Sequence, residues 1–364
     1  MQPLIAGYRV EVVEALNQLF NLKIFACTQG VEARGFSSER PPCDEFVETS
    51  IAQIGSPGIK IQSKVVAHLV RERPDAVLIF ADIRFLSLWL TLIAGRVMHV
   101  PVLIHGQGLY RHQHAGWLRT LCYRLAVSLA SRYVCYTDAS RHSLEAIGCP
   151  DRKLVVADNS LTVLRPVTAS EKTGTENGVL FLGRLRDDSD VDMLIDAIGV
   201  LRREGGEGRD ILLHVVGDGE HGERLRQRYA GCDYIVWYGA VFDDRKIASI
   251  SRQCRIGCYP GAAGLSVVHM FGLSLPPLIH DRMSAHMGPE PAYVERGRTG
   301  FVYSLDGGVD ALAASLRDVW AVSPAQMRAT AAAAYSKYEQ LNTPSLGRRL
   351  AEIVRTTLEP ETAV

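Results

Sequence analysis

The segment from Tyr259 to Ile279 constrains the fold more than any other part of the chain. A short apolar strand ends at Pro260, a turn of small residues follows at 261–264, and an amphipathic helix begins near Leu265 before a second apolar strand. Small residues at a strand-to-helix turn let a ligand approach the backbone closely. The free amides and positive dipole at such a helix start suit a diphosphate. The segment therefore outlines a nucleotide-sugar site.

Strand-length apolar segments alternate with helical ones on both sides of a polar stretch at 165–178, which has the composition of a linker. We therefore expect an α/β protein with two Rossmann-like domains, 1–164 and 179–340, whose parallel sheets face a cleft. Residues 341–364 contain an amphipathic helix, which we expect to cross back and pack on the first domain. Residues 29–60, rich in Gly, Pro, Ser and charge, are predicted to form a long loop.

Charge and cysteine content exclude several classes of protein. The 364 residues carry 40 basic and 40 acidic side chains, so nothing global indicates nucleic-acid binding. The eight cysteines lack a CxxC pair, which favours a reduced, cytoplasmic compartment and argues against zinc. No secretory signal is visible, and the longest apolar run, 85–95, is too short to span a bilayer. The inner face of the membrane is the alternative location.

Two glycine-containing turns follow strands of the second predicted domain. Gly183 and Arg184 close the first strand, where an arginine can meet a diphosphate with paired hydrogen bonds. An ordinary surface arginine is the alternative. Residues 217–222, GDGEHG, match a dinucleotide-binding pattern, but they follow the second strand and no acidic residue clearly ends the next one. A tight structural turn bordering the cleft is favoured over NAD binding.

The first predicted domain offers a histidine at the end of a strand. His105 begins the sequence HGQG, should point into the cleft, and has a pKa range suited to proton handling or to binding of acceptor or phosphate. A histidine that serves only loop structure is the alternative. Residues 110–132 combine basic and aromatic side chains, which suits an anionic membrane surface or a lipid-phosphate acceptor. A half-buried helix with a solvated face is favoured there.

The order of these motifs resembles that of the retaining glycosyltransferases of family 4, which have the GT-B fold. The resemblance spans nearly the whole chain and is strongest over 180–301. Its motifs in the second domain are FLGRL at 181–185, VVGDG at 215–219, YGAVFD at 238–243, PGAAGLSVVH at 260–269 and GRTGF at 297–301. In the first domain they are YRV at 8–10 and IHGQG at 104–108.

The resemblance implies that the second domain binds a nucleotide-diphosphate sugar and that the first binds a glycan or lipid-linked acceptor. No metal or other cofactor is implied. His105 would be the catalytic residue facing the reacting sugar. The donor-binding residues would be Gly183, Arg184, Arg186, Gly217, Gly264, Leu265, Ser266 and His269. The acceptor-binding residues would be Tyr8, Arg9, Gly106, Gln107, Gly108 and Arg111.

Several positions depart from the family pattern. Gly261 and His269 stand where most members have two glutamates, although His269 could still hydrogen-bond the ribose. Ser189 replaces a lysine that often follows the GRL motif, so Arg186 would have to supply the lost cation. Only seven residues precede Tyr8, so the first strand that family members place there is expected to be absent.

These features favour an enzyme that transfers a hexose-type sugar with retention in surface-polysaccharide assembly, without a metal. The replaced lysine and glutamates motivate a second hypothesis, a degenerate glycosyltransferase that acts as a binding or scaffold partner. An NAD-dependent enzyme is the third. Donor base, sugar, acceptor, linkage and oligomeric state are not specified by the sequence.

Overall fold

The computed structural model describes residues 7–27, 43–55, 58–110 and 116–359. The chain forms two compact units. The first comprises residues 1–159 together with 344–364, and the second comprises residues 160–343. No helix in the described ranges is both long and apolar enough to cross a membrane.

Within the described ranges, the first unit contains five helices and eight strands before residue 159. Its helices are α1 (Val10–Asn17), α2 (Val65–Glu72), α3 (Leu86–Met98), α4 (Trp117–Leu129) and α5 (Asp138–Glu145). Its strands are β1 (Lys23–Ala26), β2 (Glu45–Glu48), β3 (Ile51–Ile54), β4 (Ile59–Gln62), β5 (Val77–Phe80), β6 (Val102–Gly106), β7 (Arg132–Cys135) and β8 (Leu154–Val156).

The central sheet of the first unit is parallel, with strand order β5-β6-β7-β8. Strands β1 and β2 form a separate parallel pair, and β3 and β4 form an antiparallel hairpin. One face of the central sheet packs on α3, α4 and α5 through a cluster that includes Leu92, Val127 and Leu144. Apolar side chains on both faces are expected of strands covered by helices on each side.

The second unit alternates strands and helices throughout. Its strands are β9 (Gly178–Leu182), β10 (Leu212–Val216), β11 (Ile235–Gly239), β12 (Cys254–Cys258), β13 (Pro277–His280) and β14 (Phe301–Tyr303). Its helices are α6 (Val191–Glu204), α7 (Gly222–Arg228), α8 (Asp244–Ser251), α9 (Ser266–Gly272), α10 (Gly308–Ala321) and α11 (Pro324–Asn342).

All six strands of the second unit are parallel, in the order β11-β10-β9-β12-β13-β14. The sheet grows from β9 to β11 in one direction and continues with β12 on the opposite side of β9. Ligands of such sheets bind beyond the carboxyl ends of the strands at this point of reversal. By this rule, a ligand site is expected after Leu182 and after Cys258.

A last helix, α12 (Leu346–Leu358), belongs to the first unit. Its apolar stripe, which includes Leu346, Leu350 and Val354, joins Leu16 of α1 in covering the second face of the central sheet. The helix predicted near the C-terminus thus completes the core of the first unit.

Two segments differ from the expectations drawn from composition. Residues 165–178 were predicted as a linker, but they lie in the second unit, where Val167 is buried and the Lys172 ammonium donates to backbone carbonyls at 2.5 and 3.2 Å. The loop predicted at 29–60 contains β2, β3 and the start of β4. Each of these strands is only four residues long and at most one of its side chains is fully buried, so they lack the longer apolar run that marks a buried strand.

Candidate active site

The carboxyl ends of β9 and β10 pack so closely that only glycine fits. Gly217 has φ +142°, and a Cβ there would overlap the carbonyl oxygen of Gly183. The amide of Gly183 donates to the carbonyl of Val216, and the amide of Gly217 donates to the carbonyl of Gly239. The turn that begins at Gly217 therefore fixes how the strand ends are aligned at the sheet reversal.

Two arginines follow Gly183 at this edge. Arg184 is partly buried. Arg186 lies 3.2 Å from Asp188 through its Nε atom, hydrogen-bonds to the Tyr259 side chain, and donates to the Met287 sulfur at 3.6 Å. The arginine expected to replace the family's lysine is thus held between β9 and the segment that follows β13.

The turn after β12 is tied to the acidic segment by its backbone. The amide of Gly261 donates to the carbonyl of Ser189 at 3.2 Å, and the amide of Ala262 donates to that of Asp188 at 2.7 Å. A Cβ on Gly261 would overlap the Asp188 carbonyl oxygen and would lie 2.8 Å from an Asp190 carboxylate oxygen. Residue 261 is therefore restricted to glycine, which explains why no glutamate side chain stands there.

Two polar side chains at the start of α9 have no hydrogen-bond partner among the residues that the structure describes. They are the Ser266 hydroxyl and the His269 Nε2 atom, both shielded from solvent. Burial lowers the pKa of His269 to about 4, so the ring is neutral at neutral pH. Buried polar atoms are normally paired, so these two are suited to hydrogen-bond a ligand.

Gly264, in the same turn, has room for a side-chain carbon without a clash. A Cβ added there would meet its nearest atoms, a Glu290 carboxylate oxygen and the Gly288 amide nitrogen, at 3.6 Å each. Leu265 follows as the cap residue of α9. The predicted donor-binding residues of the second unit therefore lie along one sheet edge, at the reversal between β9 and β12.

In the first unit, His105 lies at the carboxyl end of β6 beside Tyr136, with 4.6 Å between ring centroids. Burial and the nearby Arg9 charge lower the pKa of His105 to about 3, and its Nε2 atom has no hydrogen-bond partner in the described part of the chain. The ordinary histidine range assumed from the sequence is thus wrong for this residue. A neutral imidazole can donate or accept a hydrogen bond, but it will not hold a proton at pH 7.

The other residues predicted to bind acceptor surround this histidine or follow it. Arg9 is buried and donates a hydrogen bond to Asn159 at 2.5 Å. Tyr8 is exposed, and the Arg9 guanidinium lies over its ring. Gly106 and Gly108 pack against neighbouring atoms that exclude a side chain, and Gln107 between them is partly buried. The prediction for Arg111 falls outside the described residues.

Comparison with known proteins identifies the fold. Residues 167–335 match the family model described as glycosyl transferases group 1. No curated protein matches the chain significantly.

Solved structures match the chain over most of its length. They include Anabaena Alr3699/HepE in complex with UDP and glucose, at 17% identity and a TM-score of 0.64, covering 98% of this chain and 99% of that one. A glycosyltransferase from Rickettsia africae ESF-5 matches at 14% identity and a TM-score of 0.68, covering 99% and 98%. The lipopolysaccharide outer core galactosyltransferase WaaB matches at 15% identity and a TM-score of 0.59, covering 94% and 98%.

The chain has the GT-B fold. The prediction of two Rossmann-like domains with parallel sheets is confirmed. Within the described residues, no group of three or more His, Cys, Asp or Glu side chains could hold a metal ion.

One acidic residue near Gly264 is not predicted from the sequence. Glu290 is only 2% exposed and approaches Gly264 from the segment after β13. Its sequence context, HMGPEP, contains prolines on both sides of the acid, which signal a fixed turn. No local pattern, however, relates that turn to residue 264.

Proposed function

We propose that this chain transfers a hexose-type sugar from a nucleotide-diphosphate donor to a glycan or lipid-linked acceptor, with retention of anomeric configuration, in surface-polysaccharide biosynthesis. It would act in the cytoplasm at the inner face of the membrane. The observation that carries the proposal is the edge of the second unit, where Arg184 and Arg186 follow the end of β9 and Gly264 starts the turn into α9 without crowding by neighbouring atoms.

The chemistry of this edge suits a diphosphate leaving group. Guanidinium groups form paired, charge-assisted hydrogen bonds with phosphate oxygens. Held in place before the reaction, Arg184 and Arg186 would stabilise the negative charge that develops on the departing diphosphate without a metal. The unpartnered atoms of Ser266 and His269 would hydrogen-bond the sugar or ribose. Positioning and electrostatic stabilisation would therefore supply most of the rate enhancement.

Neutral His105 would face the acceptor side of the reaction as a hydrogen-bonding residue. Its low pKa, set by burial and Arg9, makes it a donor or acceptor to a hydroxyl rather than a reservoir of charge. Arg9, Gly106 and Gly108 would shape the acceptor site around it.

Nucleotide binding provides the direct test. The Anabaena protein of similar fold holds UDP, so UDP, GDP and their glucose and mannose conjugates are the first ligands for thermal-shift titration. A ligand at 100 times its Kd should stabilise the protein by ~2.7 kcal/mol. Arg184→Ala should abolish that shift, whereas Arg224→Ala, at an exposed ion pair of the same unit, should leave it intact. A wild-type protein that binds none of them would favour the degenerate, non-enzymatic alternative.

Anomeric outcome and acceptor class need a separate assay. The protein should release sugar from its nucleotide donor to water or to a lipid-linked acceptor, and proton NMR of the first product should show the donor's anomeric configuration. An inverted product would contradict retention while leaving transfer intact.

Contact with the membrane surface is the second part of the proposal. Helix α3 exposes Leu86, Leu90, Ile93 and Val97 at helical spacing, and the adjoining α4 exposes Trp117, Leu118, Leu121 and Leu125. Arg96 and Arg124 are exposed on the same two helices. Apolar side chains beside cations bind anionic lipid surfaces.

Vesicle sedimentation tests this contact. Trp117 is 78% exposed, so the Trp117→Glu variant should bind less to phosphatidylserine-containing vesicles than the wild type does. Phe242 is 76% exposed in the second unit, so Phe242→Glu is a matched control that should sediment like the wild type. A membrane-binding surface on α3 and α4 would be contradicted if both variants lost vesicle binding equally, or if the wild type did not sediment with vesicles.

A further inference from the structure

The first unit contains an elongated, mostly apolar cavity. It has a volume of about 540 Å³ and runs beside β5, from Pro74 before the strand to Phe80 at its end. At about 3.3 Å per residue, that stretch is roughly 20 Å long. Its walls are formed by β1, β5, α1, α2 and α12, through side chains that include Val13, Ile24, Leu69, Ile79 and Leu350. A cavity of this size and composition suits an extended apolar ligand.

The two ends of the cavity differ in their polar groups. At the amino end of β5, the Lys23 ammonium lies 2.5 Å from a Glu72 carboxylate oxygen and 2.9 Å from one of Glu45, so these charges are paired. At the carboxyl end, His105 is the β6 partner of Phe80 and lines the cavity. The Nε2 atom of its neutral ring has no hydrogen-bond partner among the described residues. The cavity thus has one end that can hydrogen-bond a polar group of a ligand.

The strand backbone beside the cavity argues against an added peptide strand. Phe25 of β1 and Phe80 of β5 both line the cavity. The Phe25 carbonyl accepts a hydrogen bond from the Gln62 side-chain amide at 3.2 Å, and the Phe80 carbonyl accepts one from the amide of Asp82 at 3.1 Å. A peptide strand depends on such main-chain groups for its own hydrogen bonds. A hydrocarbon chain needs none, because apolar burial alone stabilises it.

We propose that this cavity holds the hydrocarbon chain of a lipid acceptor, with the polar head group of the acceptor at His105. The inference rests on the proposed function for the role of the head group, and it selects a lipid acceptor over a free glycan. Water in an apolar cavity lacks hydrogen-bond partners, whereas a chain that fills the cavity removes apolar surface from water. The chain would also hold the receiving hydroxyl group at a fixed depth beside His105, which is the positioning that transfer requires.

Binding of n-alkyl β-D-glucosides with hexyl, octyl, decyl and dodecyl chains tests the proposal. Calorimetric Kd values would be measured on the full chain, below the critical micelle concentration of each glucoside. Two variants narrow the cavity from different helices, Val13→Phe on α1 and Val65→Phe on α2, since both valines are buried and line it. Val70→Phe is the matched control, because Val70 also lies on α2 but is 53% exposed and outside the cavity. Thermal unfolding shows whether each variant folds.

The wild-type Kd should fall roughly three- to fourfold for each added methylene, as expected for a buried CH₂ group, and should stop falling at the chain length that fills the cavity. Val13→Phe and Val65→Phe should weaken binding of the longest chain by roughly tenfold or more, because the new ring takes up space that the chain needs. Both variants should reach their plateau at a shorter chain. Val70→Phe should match the wild type at every chain length.

Three results would overturn the inference. A Kd that does not depend on chain length would exclude a hydrocarbon site. A Kd that keeps falling with chain length, equally in the wild type and all three variants, would assign the binding to the exposed apolar side chains of α3 and α4. Loss of folding in both cavity variants would show that the space beside Val13 and Val65 is already filled. The proposed function is tested separately by nucleotide binding, since a protein without nucleotide affinity would keep the chain-length plateau.

Discussion

Gly264→Ala should separate folding from ligand binding in the second unit. The new methyl group would make ordinary van der Waals contact, at 3.6 Å, with Glu290 and Gly288, and the residue has no positive φ. Replacing glycine by alanine at a compatible position stabilises a protein by about 0.4–1 kcal/mol, because the unfolded chain loses freedom. The same methyl would occupy the space between the turn and the Glu290 carboxylate.

The expected loss of affinity follows from the crowding of that space. Forcing an extra carbon into a filled site costs roughly 1–3 kcal/mol, which corresponds to a Kd that is about 5- to 150-fold weaker. A sugar nucleotide at 100 times the wild-type Kd should raise the melting temperature of the wild type by roughly 5–10 °C. At the upper end of that loss, the variant would gain only about 1 °C from the same ligand concentration.

Differential scanning fluorimetry with and without the ligand measures both effects. Gly231→Ala is the matched control, because residue 231 has open space around it and lies elsewhere in the same unit. Gly261→Ala is the opposite case and should lower the melting temperature without ligand, since its Cβ meets the Asp188 backbone. A Gly264→Ala protein that keeps the full ligand shift, or one that melts well below the wild type, would refute this reading of the turn.

Two further substitutions probe the geometry at the strand ends. Gly217→Ala should destabilise the second unit by about 2–6 kcal/mol, since it combines overpacking against Gly183 with backbone strain at φ +142°; an unchanged melting temperature would contradict that packing. The pKa of His105 is about 3 in the folded protein and 6.5 for the free side chain. Its contribution to the free energy of unfolding is therefore complete above pH 6.5 and is lost as the pH falls toward 3. His105→Gln should therefore reduce the loss of first-unit stability between pH 7 and 5, and identical pH profiles would contradict the buried, neutral state.

The alternation of apolar strands and amphipathic helices predicted the fold class because it depends on local periodicity. Strand β9, GVLFL, is buried along its whole length, as its unbroken apolar sequence indicates. The strands of the hairpin β3–β4 were missed because they are only four residues long and have at most one fully buried side chain each. Composition likewise misassigned 165–178, since polar residues that pack on a core look the same in sequence as a linker.

Local sequence also predicted which glycines and arginines lie at the sheet edge, since strand ends in a parallel sheet are positioned by the alternation itself. Tertiary structure decided which groups meet there. It brought Glu290 to Gly264, filled the space at Gly261 with the backbone of Asp188, and lowered the pKa of His105 by burial beside Arg9. Turn type and strand periodicity are set by neighbouring residues, whereas burial and long-range contact depend on how distant segments pack.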